Sequence, residues 1–353
     1  MRPVSAPDQA RWGSRARRPG RRAVSVAAAA AGLILAAGCH VPGFSSSAGG
    51  SPTASGTVTV AAPPGVADAP LYIGIRDGLF SRAGLTVKVV PVTSVPQAVA
   101  ALRNGSADVA FGDYASMFYA HEQKGVPHLL TVADGYDAGP NVMEVLTLPN
   151  SGIVSPSDLQ GRTVGTAMAQ GIPIMGKSGK SQPYSIDTLA TWSVLTSDNV
   201  QVSRINWVQM QTSQLIGKLQ SGAVAAIVAT EPVIYQAESE LGAVPVLDSC
   251  TGATANLPLA GYFTTSSYQS QHADVVAAFR AALAKAQAQA GMAAPLQTAL
   301  TKNTGLNRLA AALVTLGSYP TTLSSANLQR VVNLLFSFGS LPSTFNVSSM
   351  VAK

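Results

Sequence analysis

Residues 85–112 read LTVKVVPVTSVPQAVAALRNGSADVAFG, and they contain the pattern that decides the fold. The segment starts with a run of β-branched residues, which predicts a strand. Ser94 then precedes a helix that has Pro96 in its first turn, and Gly105 follows the end of that helix. Residues 107–112 predict another strand. Strands joined by an amphipathic helix favour parallel pairing, so the segment predicts an α/β protein.

The same alternation of strands and helices continues on both sides of this segment. Further strands are predicted at residues 57–62, 127–133, 162–167, 200–208, 223–229, 243–248 and 259–266. A second series of strands and helices begins after Pro149, and helices at 272–290, about 295–316 and 325–337 complete the pattern. Residues 168–185 interrupt it with Gly, Lys and Ser and without periodicity, so they predict an inserted or mobile loop.

The formal charge of +6 belongs to the N-terminal segment and not to the predicted body. Residues 1–38 hold seven arginines and one aspartate, and the rest of the chain has equal numbers of acidic and basic residues. Nucleic-acid binding needs a basic face on the folded domain, so we predict no nucleic-acid partner. The segment instead predicts a signal peptide, because Arg21 and Arg22 precede an apolar run at 23–37 that is short for a membrane span.

A lipid anchor is predicted directly after this segment. The sequence LAAGC at residues 35–39 resembles the bacterial lipoprotein box, although Ala36 stands where Leu, Val or Ile is usual. The resemblance implies a mature chain that starts at Cys39 with a diacylated thiol (palmitate, for example), so that the protein is held at the outer face of the cytoplasmic membrane. Residues 39–56 are rich in Gly, Ser, Pro and Thr and predict a flexible tether. The alternative is an ordinary signal peptide followed by an unmodified cysteine.

Four segments resemble, in the same order, a family of transport proteins. They read APLYIGIRDGLFSRAGLTVKVVPV (69–92), QAVAALRNGSADVAFGDYASM (97–117), SDLQGRTVGT (157–166) and LQSGAVAAIVATEPVIYQ (219–236). The set is similar to solute-binding proteins of ABC importers, in the group that binds sulfonates such as taurine, nitrate or the thiamine pyrimidine precursor. Ala225 departs from the acid that the family often has there, and the stretch at 168–185 is longer than usual.

This resemblance implies the two-lobed periplasmic-binding-protein type 2 (Venus-flytrap) fold, an α/β fold with mixed, mainly parallel sheets and C-terminal helices. Lobe 1 would comprise residues 57–146 plus 249–353, and lobe 2 would comprise residues 147–248. A monomer would capture a small solute in the cleft between the lobes and deliver it to an ABC permease and ATPase. Those partners would be separate chains, because this sequence has no phosphate-binding loop.

Residues at the carboxyl ends of the predicted strands are candidates for contacting the solute, because helix N-termini present free N–H groups there. The candidates are Asp68, Leu71, Tyr72, Ser94, Gly112, Asp113, Tyr114, Thr166, Thr230 and Glu231. Asp68 and Ser94 are most simply helix caps, Asp113 is equally suited to cap a helix, and the charge of Glu231 would favour a helix dipole. Acidic residues outnumber basic ones at these ends. This balance favours a neutral or cationic solute, such as an aminopyrimidine, over an anion.

An enzyme on the same fold is the main alternative, since the fold is known to host thiamine-pyrimidine and menaquinone-type biosynthetic steps. The four histidines show no metal-ligand spacing, and Cys250 has no base near it in the sequence. We therefore predict a protein that is not an enzyme and has no metal or other cofactor. Cys250 would be a buried structural thiol outside any disulfide. A sensor that reports solute binding to a signalling partner would need the same cleft.

Overall fold

The computed structural model describes residues 55–123, 125–167 and 185–353. The predicted signal peptide, Cys39, nearly all of the predicted tether and the predicted loop up to residue 184 lie outside these ranges. Within the ranges, no helix combines the length and the apolar character that a membrane span requires.

The described residues form two five-stranded sheets. The strands are β1 (Gly56–Ala62), β2 (Leu85–Pro91), β3 (Val109–Asp113), β4 (Leu129–Asp137), β5 (Met143–Thr147), β6 (Thr163–Ala167), β7 (Asn206–Met210), β8 (Ala226–Thr230), β9 (Val244–Asp248) and β10 (Pro258–Thr265). The strand order is β2-β1-β3-β10-β4 in the first sheet and β7-β6-β8-β5-β9 in the second. We call the parts of the molecule built on these two sheets lobe 1 and lobe 2.

Both sheets are mixed. In lobe 1, β1 pairs in parallel with β2 and β3, whereas β10 pairs antiparallel with β3 and β4. In lobe 2, β6 pairs in parallel with β7 and β8, whereas β5 pairs antiparallel with β8 and β9. The predicted α/β architecture with mixed sheets is confirmed. Parallel pairs are half of the pairings and not most of them, because an antiparallel strand lies inside each sheet between two neighbours.

The helices begin and end largely where the sequence places their caps. They are α1 (Ala69–Arg76), α2 (Leu79–Arg82), α3 (Val95–Arg103), α4 (Tyr114–His121), α5 (Ile186–Ser197), α6 (Leu215–Gln220), α7 (Val233–Leu241), α8 (Ser266–Gln271), α9 (Ala273–Ala290), α10 (Ala293–Asn303), α11 (Arg308–Leu313) and α12 (Ser325–Ser337). Ser94 caps α3 as predicted, because its Oγ accepts a hydrogen bond from the Gln97 N–H at 3.4 Å. The buried face of α12 is also the predicted one: Leu328, Val331, Val332 and Leu335.

The differences from the sequence prediction are largest at three elements. No strand is predicted at β5, because all five of its residues are buried and a strand covered on both faces lacks an apolar and polar alternation. The predicted strand at 200–208 starts as a short 3-10 helix, Val202–Arg204, before β7 begins. The predicted helix at 295–316 is divided into α10 and α11, because Gly305 between them has a φ of 75°, which no right-handed helix accommodates.

Two segments of the described chain cross between the sheets. The first crossing segment, residues 138–142, joins β4 to β5, and the second, residues 249–257, joins β9 to β10. The predicted lobe division after residue 146 falls inside β5, and β5 pairs only with strands of lobe 2. We therefore propose that lobe 2 begins at residue 143. The other predicted boundary, after residue 248, coincides with the end of β9.

Aromatic packing fixes the sheet of lobe 1 against its helices. Phe80 stacks on Phe279 of α9 with ring centroids 5.2 Å apart, and Tyr262 of β10 meets Phe279 edge-on at 6.0 Å. Gly74 in α1 permits this arrangement, because a Cβ at that position would lie 2.6 Å from Cε2 of Phe80. The strand ends of lobe 1 are thereby held on a well-packed support.

Candidate functional site

A cavity of about 420 Å³ lies between the two lobes. Lobe 1 contributes the segments after β1 and β2, the end of β3 and the start of β10. Lobe 2 contributes the ends of β6 and β8 and the start of α5. The carboxyl ends of parallel strands from both sheets therefore meet at one place, which is where open α/β sheets bind their ligands. The volume is within the range of roughly 300–1,000 Å³ that is typical of small-molecule sites.

The structure brings together six of the ten residues that the sequence nominates for solute contact. The described wall of the cavity includes Asp68, Ser94, Gly112, Asp113, Thr230 and Glu231. It does not include Leu71, Tyr72, Tyr114 or Thr166. A contact between the first six and a solute stays a prediction.

The other four residues lie outside the described cavity wall, and three of them are buried. Leu71 and Tyr114 belong to the starts of α1 and α4, and both are fully buried in the core of lobe 1. The hydroxyl of Tyr114 donates a hydrogen bond to Oδ1 of Asp134 at 2.9 Å. Thr166 is buried within β6. The sequence prediction placed solute contacts inside these helices and this strand. In the structure, the described cavity wall consists mainly of residues at the ends of such elements or in the segments beside them.

Asp113 connects two helices, one in each lobe. It is the N-cap residue of α4, and its Oδ1 accepts a hydrogen bond from the Ser116 N–H at 2.8 Å. The same oxygen accepts one from the N–H of Ile186, the first residue of α5, at 3.1 Å. Burial, together with the nearby charge of Asp187, raises the pKa of Asp113 to about 7 despite these hydrogen bonds. The predicted cap is confirmed, and the same carboxyl group also joins the lobes.

Glu231 makes a second connection between the lobes. Its Oε2 accepts a hydrogen bond from the Tyr235 N–H of α7 at 3.1 Å, and its Oε1 accepts one from the Thr315 N–H at 2.9 Å. Thr315 lies in the segment after α11, which is held to lobe 1 by the bridge between Asp137 of β4 and Ser318. Both oxygens of Glu231 are therefore used within the protein. Burial raises the pKa of this group as well.

Asp68 differs from these two residues. It is at the N-cap position of α1, yet its Oδ1 accepts a hydrogen bond from the Gly65 N–H, before the helix, at 2.9 Å. The predicted side-chain cap is therefore wrong for this residue. Its Oδ2 is buried and has no hydrogen-bond partner in the part of the chain that the structure describes. Asp68 is 0% exposed, and this burial raises its pKa to about 8.

The cavity wall includes an acidic residue that the sequence does not nominate. Asp187 is in the first turn of α5, and burial raises the pKa of its carboxyl group. An acid in the first turn of a helix is usually a structural feature that favours the helix dipole. Only the packing of α5 against the end of β3 shows that this turn faces the cavity.

The described wall of the cavity is acidic, as the balance of charge at the strand ends predicts. Its charged residues are four carboxyl groups, and its described part contains no Lys, Arg or His: the four are Asp68, Asp113, Asp187 and Glu231. The N-termini of α4 and α5 would favour an anion. Asp113 already accepts one N–H group from each of these N-termini, so a second anion would meet its carboxyl group there.

The histidines and the cysteine of the described structure are not part of the cavity wall. His121 and His128 pair with ring centroids 4.6 Å apart, and neither is part of the cavity wall. Cys250 is buried as predicted, and this burial raises the pKa of its thiol to about 12, which suits a structural role. Among the described residues, no group of three or more His, Cys, Asp or Glu side chains is placed to hold a metal ion.

The family of the chain follows from a match over most of its length. The family model described as NMT1/THI5 like matches residues 67–297. The chain belongs to the NMT1/THI5-like family. No curated protein sequence matches this NMT1/THI5-like chain.

Solved structures show the fold of the NMT1/THI5-like chain. It is similar to the alkanesulfonate-binding protein SsuA from Xanthomonas axonopodis pv. citri bound to MOPS, with a TM-score of 0.67, 16% identity and coverage of 84% of this chain and 97% of that one. It is also similar to the periplasmic nitrate-binding protein NrtA from Synechocystis PCC 6803, with a TM-score of 0.65 and 12% identity. That match covers 84% of this chain and 84% of NrtA. The match to the desulfurization enzyme DSZB has a TM-score of 0.63 and 15% identity, and it covers 84% of this chain and 96% of DSZB. The predicted periplasmic-binding-protein type 2 fold is thus confirmed.

Proposed function

We propose that this chain is an extracytoplasmic solute-binding lipoprotein that captures a small molecule in the interlobe cavity and delivers it to an ABC importer. The observation that carries the proposal is the cavity itself, which is walled by strand ends of both lobes. Asp113 and Glu231 support it, because each accepts a hydrogen bond from the opposite lobe. A solute that favours the closed arrangement would therefore strengthen contacts that already exist.

The similar structures support a binding role over a catalytic one. SsuA is described as an alkanesulfonate-binding protein and NrtA as a nitrate-binding protein. DSZB demonstrates that the fold also hosts an enzyme. The described wall of the cavity contains no histidine or cysteine.

Membrane attachment through Cys39 completes the proposal. The LAAGC sequence at residues 35–39 supports it, and the residues up to 56 would let the lobes reach a permease in the same membrane. The permease and the ATPase would be separate chains, and the binding protein would act as a monomer. The candidate solute contacts are the cavity residues Asp68, Ser94, Gly112, Asp113, Thr230 and Glu231.

Solute capture is tested by thermal-shift screening of the mature protein, with Cys39→Ser to avoid acylation, against a panel of small metabolites. Uptake of each labelled hit is then measured in cells with and without the gene. We expect a hit that raises the melting temperature and is imported only when the gene is present. Chemical conversion of the hit by the purified protein alone would instead establish the enzyme alternative and refute the transport role.

The lipid anchor is tested by intact-mass measurement of the mature chain from bacterial membranes. We expect a chain that begins at Cys39 and carries the added mass of a diacylglycerol group, and we expect Cys39→Ser to release the protein into the soluble fraction. A mature chain of unmodified mass would contradict the anchor and leave solute capture unaffected.

A further inference from the structure

The carboxyl groups of the cavity differ in how many backbone N–H groups they accept from the protein. Both oxygens of Glu231 accept backbone N–H groups. Asp113 accepts two backbone N–H groups. Asp68 accepts the Gly65 N–H through Oδ1 alone, and its Oδ2 is without a partner. A buried acceptor without a partner is rare in native proteins, because its lost hydration is not replaced.

The residues around Asp68 do not neutralise it. Burial raises the pKa of three tyrosine hydroxyls, and the charge of Asp68 adds to each shift: Tyr72 of α1, Tyr262 of β10 and Tyr319 of the segment after α11. The Tyr319 hydroxyl already donates a hydrogen bond to the Val66 carbonyl oxygen at 2.8 Å. The Tyr262 hydroxyl is itself buried and has no partner among the described residues. No cationic side chain appears among the described groups that shift the pKa of Asp68.

We propose that the cavity takes an organic cation, a solute with an ammonium or amidinium group, and that Oδ2 of Asp68 is the acceptor that pairs with it. This inference rests on the proposed function, because it names the class of solute for the same cavity. An ammonium or amidinium group supplies the missing N–H donor and the missing positive charge together. Asp113, Asp187 and Glu231 are further carboxyl groups of the wall, and its described part has no cationic side chain that would oppose the solute.

The same geometry disfavours an anionic solute. An anion in an α/β cleft is usually held by helix N-termini. The N-termini of α4 and α5 already share the carboxyl group of Asp113. A sulfonate or nitrate would have to displace that contact and would then lie in a wall of carboxyl groups without a described cation. The solute class therefore differs from those named for SsuA and NrtA.

Proton release provides a measurement that needs no substitution. The pKa of Asp68 is about 8 in the free protein, so its carboxyl group holds a proton at pH 7. A cation binds the ionised form and must expel that proton, so affinity should rise about tenfold per pH unit up to pH 8 and then level off. Amidinium probes suit this range because they keep their charge throughout it.

The experiment compares matched pairs of probes by isothermal titration calorimetry on the mature protein. The pairs are benzamidinium and benzamide, acetamidinium and acetamide, and butylammonium and butanol, with ethanesulfonate and nitrate as anions. We expect at least one cation to bind ten times more tightly than its neutral partner and to release close to one proton at pH 7. Titration in two buffers of different ionisation enthalpy counts that proton.

Asp68→Asn is the informative variant, because it keeps an acceptor for the Gly65 N–H and replaces Oδ2 by an amide donor. We expect the preference for the cation to fall tenfold or more and the proton release to disappear. Asp108→Asn is the matched control: Asp108 is also in lobe 1 and accepts one backbone N–H, from Thr59 at 2.8 Å, but it lies outside the cavity. Its affinities should stay within twofold of the wild type.

Three results would overturn the inference. One is the absence of any cation preference across all pairs. Another is tighter binding of ethanesulfonate or nitrate than of any cation, which would leave solute capture intact and refute only the solute class. The last is an unchanged cation preference in Asp68→Asn, which would mean that a buried water satisfies Oδ2. Chemical turnover of a bound cation would refute the proposed function and leave the assignment of its class unaffected.

Discussion

Replacing Asp113 tests the carboxyl group that joins the two lobes. Asp113→Ala removes the acceptor of two backbone N–H groups, those of Ser116 and Ile186. Losing a helix cap costs about 1 kcal/mol, with a range of roughly 0.5–2 kcal/mol. Because the same oxygen serves the first turns of both α4 and α5, we expect a loss of about 2 kcal/mol in the free energy of unfolding at pH 4.5. Asp113→Asn keeps an acceptor oxygen and should lose less than half as much.

The difference between these variants and the wild type should change with pH. The pKa of Asp113 is raised from 3.8 to about 7 in the folded protein. Between these values the native carboxyl group holds a proton that the unfolded chain has released, so wild-type stability falls as pH rises and levels off above pH 7. At about 1.4 kcal/mol per pH unit, this amounts to at most about 3 kcal/mol between pH 4.5 and 7. Neither variant has an Asp113 carboxyl group to titrate. The free energy of unfolding of both variants should therefore be higher, relative to that of the wild type, at pH 8 than at pH 4.5.

Urea unfolding followed by circular dichroism at pH 4.5 and pH 8 measures both effects. Asp108→Asn is a control for a carboxylate outside the cavity. An alanine variant as stable as the wild type at pH 4.5 would show that the two hydrogen bonds contribute nothing. A stability difference that is the same at both pH values would show that the pKa of Asp113 is not raised.

Three further substitutions test the packing and the contacts that hold the cavity walls. Gly74→Ala should lower stability by about 1–3 kcal/mol in urea unfolding, since its Cβ would lie 2.6 Å from Phe80 Cε2; a neutral result would mean that the rings can move. Burial raises the pKa of Asp134 to about 7, although the hydrogen bond from the Tyr114 hydroxyl opposes this shift. Tyr114→Phe should therefore cost about 1–3 kcal/mol and raise the pKa of Asp134 further, seen as a steeper fall of stability between pH 5 and 8. Arg330→Met should lower the melting temperature by a few degrees and speed hydrogen exchange in the second crossing segment, because its guanidinium donates to three carbonyls there; unchanged exchange would contradict that role.

The sequence predicts local features of this fold well. The cap at Ser94, the cap at Asp113 and the apolar face of α12 each depend on residues within one or two helical turns. The acid excess of the cavity wall could also be predicted, because parallel strands bring their carboxyl ends to the same edge. These features need no knowledge of which strands are neighbours.

The remaining features depend on contacts between distant parts of the chain. All five residues of β5 are buried, on both faces of the sheet, so its sequence lacks the alternation that identifies a half-exposed strand. The contacts of Asp113 with Ile186 and of Glu231 with Thr315 span 73 and 84 positions. No local pattern encodes them. For Asp68, local reasoning predicts a helix cap, and only the burial of Oδ2 in three dimensions points to a different role.

The two hydrogen bonds that cross between the lobes give the molecule its own pair of spectroscopic reporters. The amide protons of Ile186 and Thr315 each point at a carboxyl oxygen of the other lobe. Their NMR chemical shifts and exchange rates should therefore follow lobe separation directly, without an attached label. A change in both amides at once would indicate that the lobes move apart as rigid bodies. A change in one amide alone would indicate a local rearrangement at that contact.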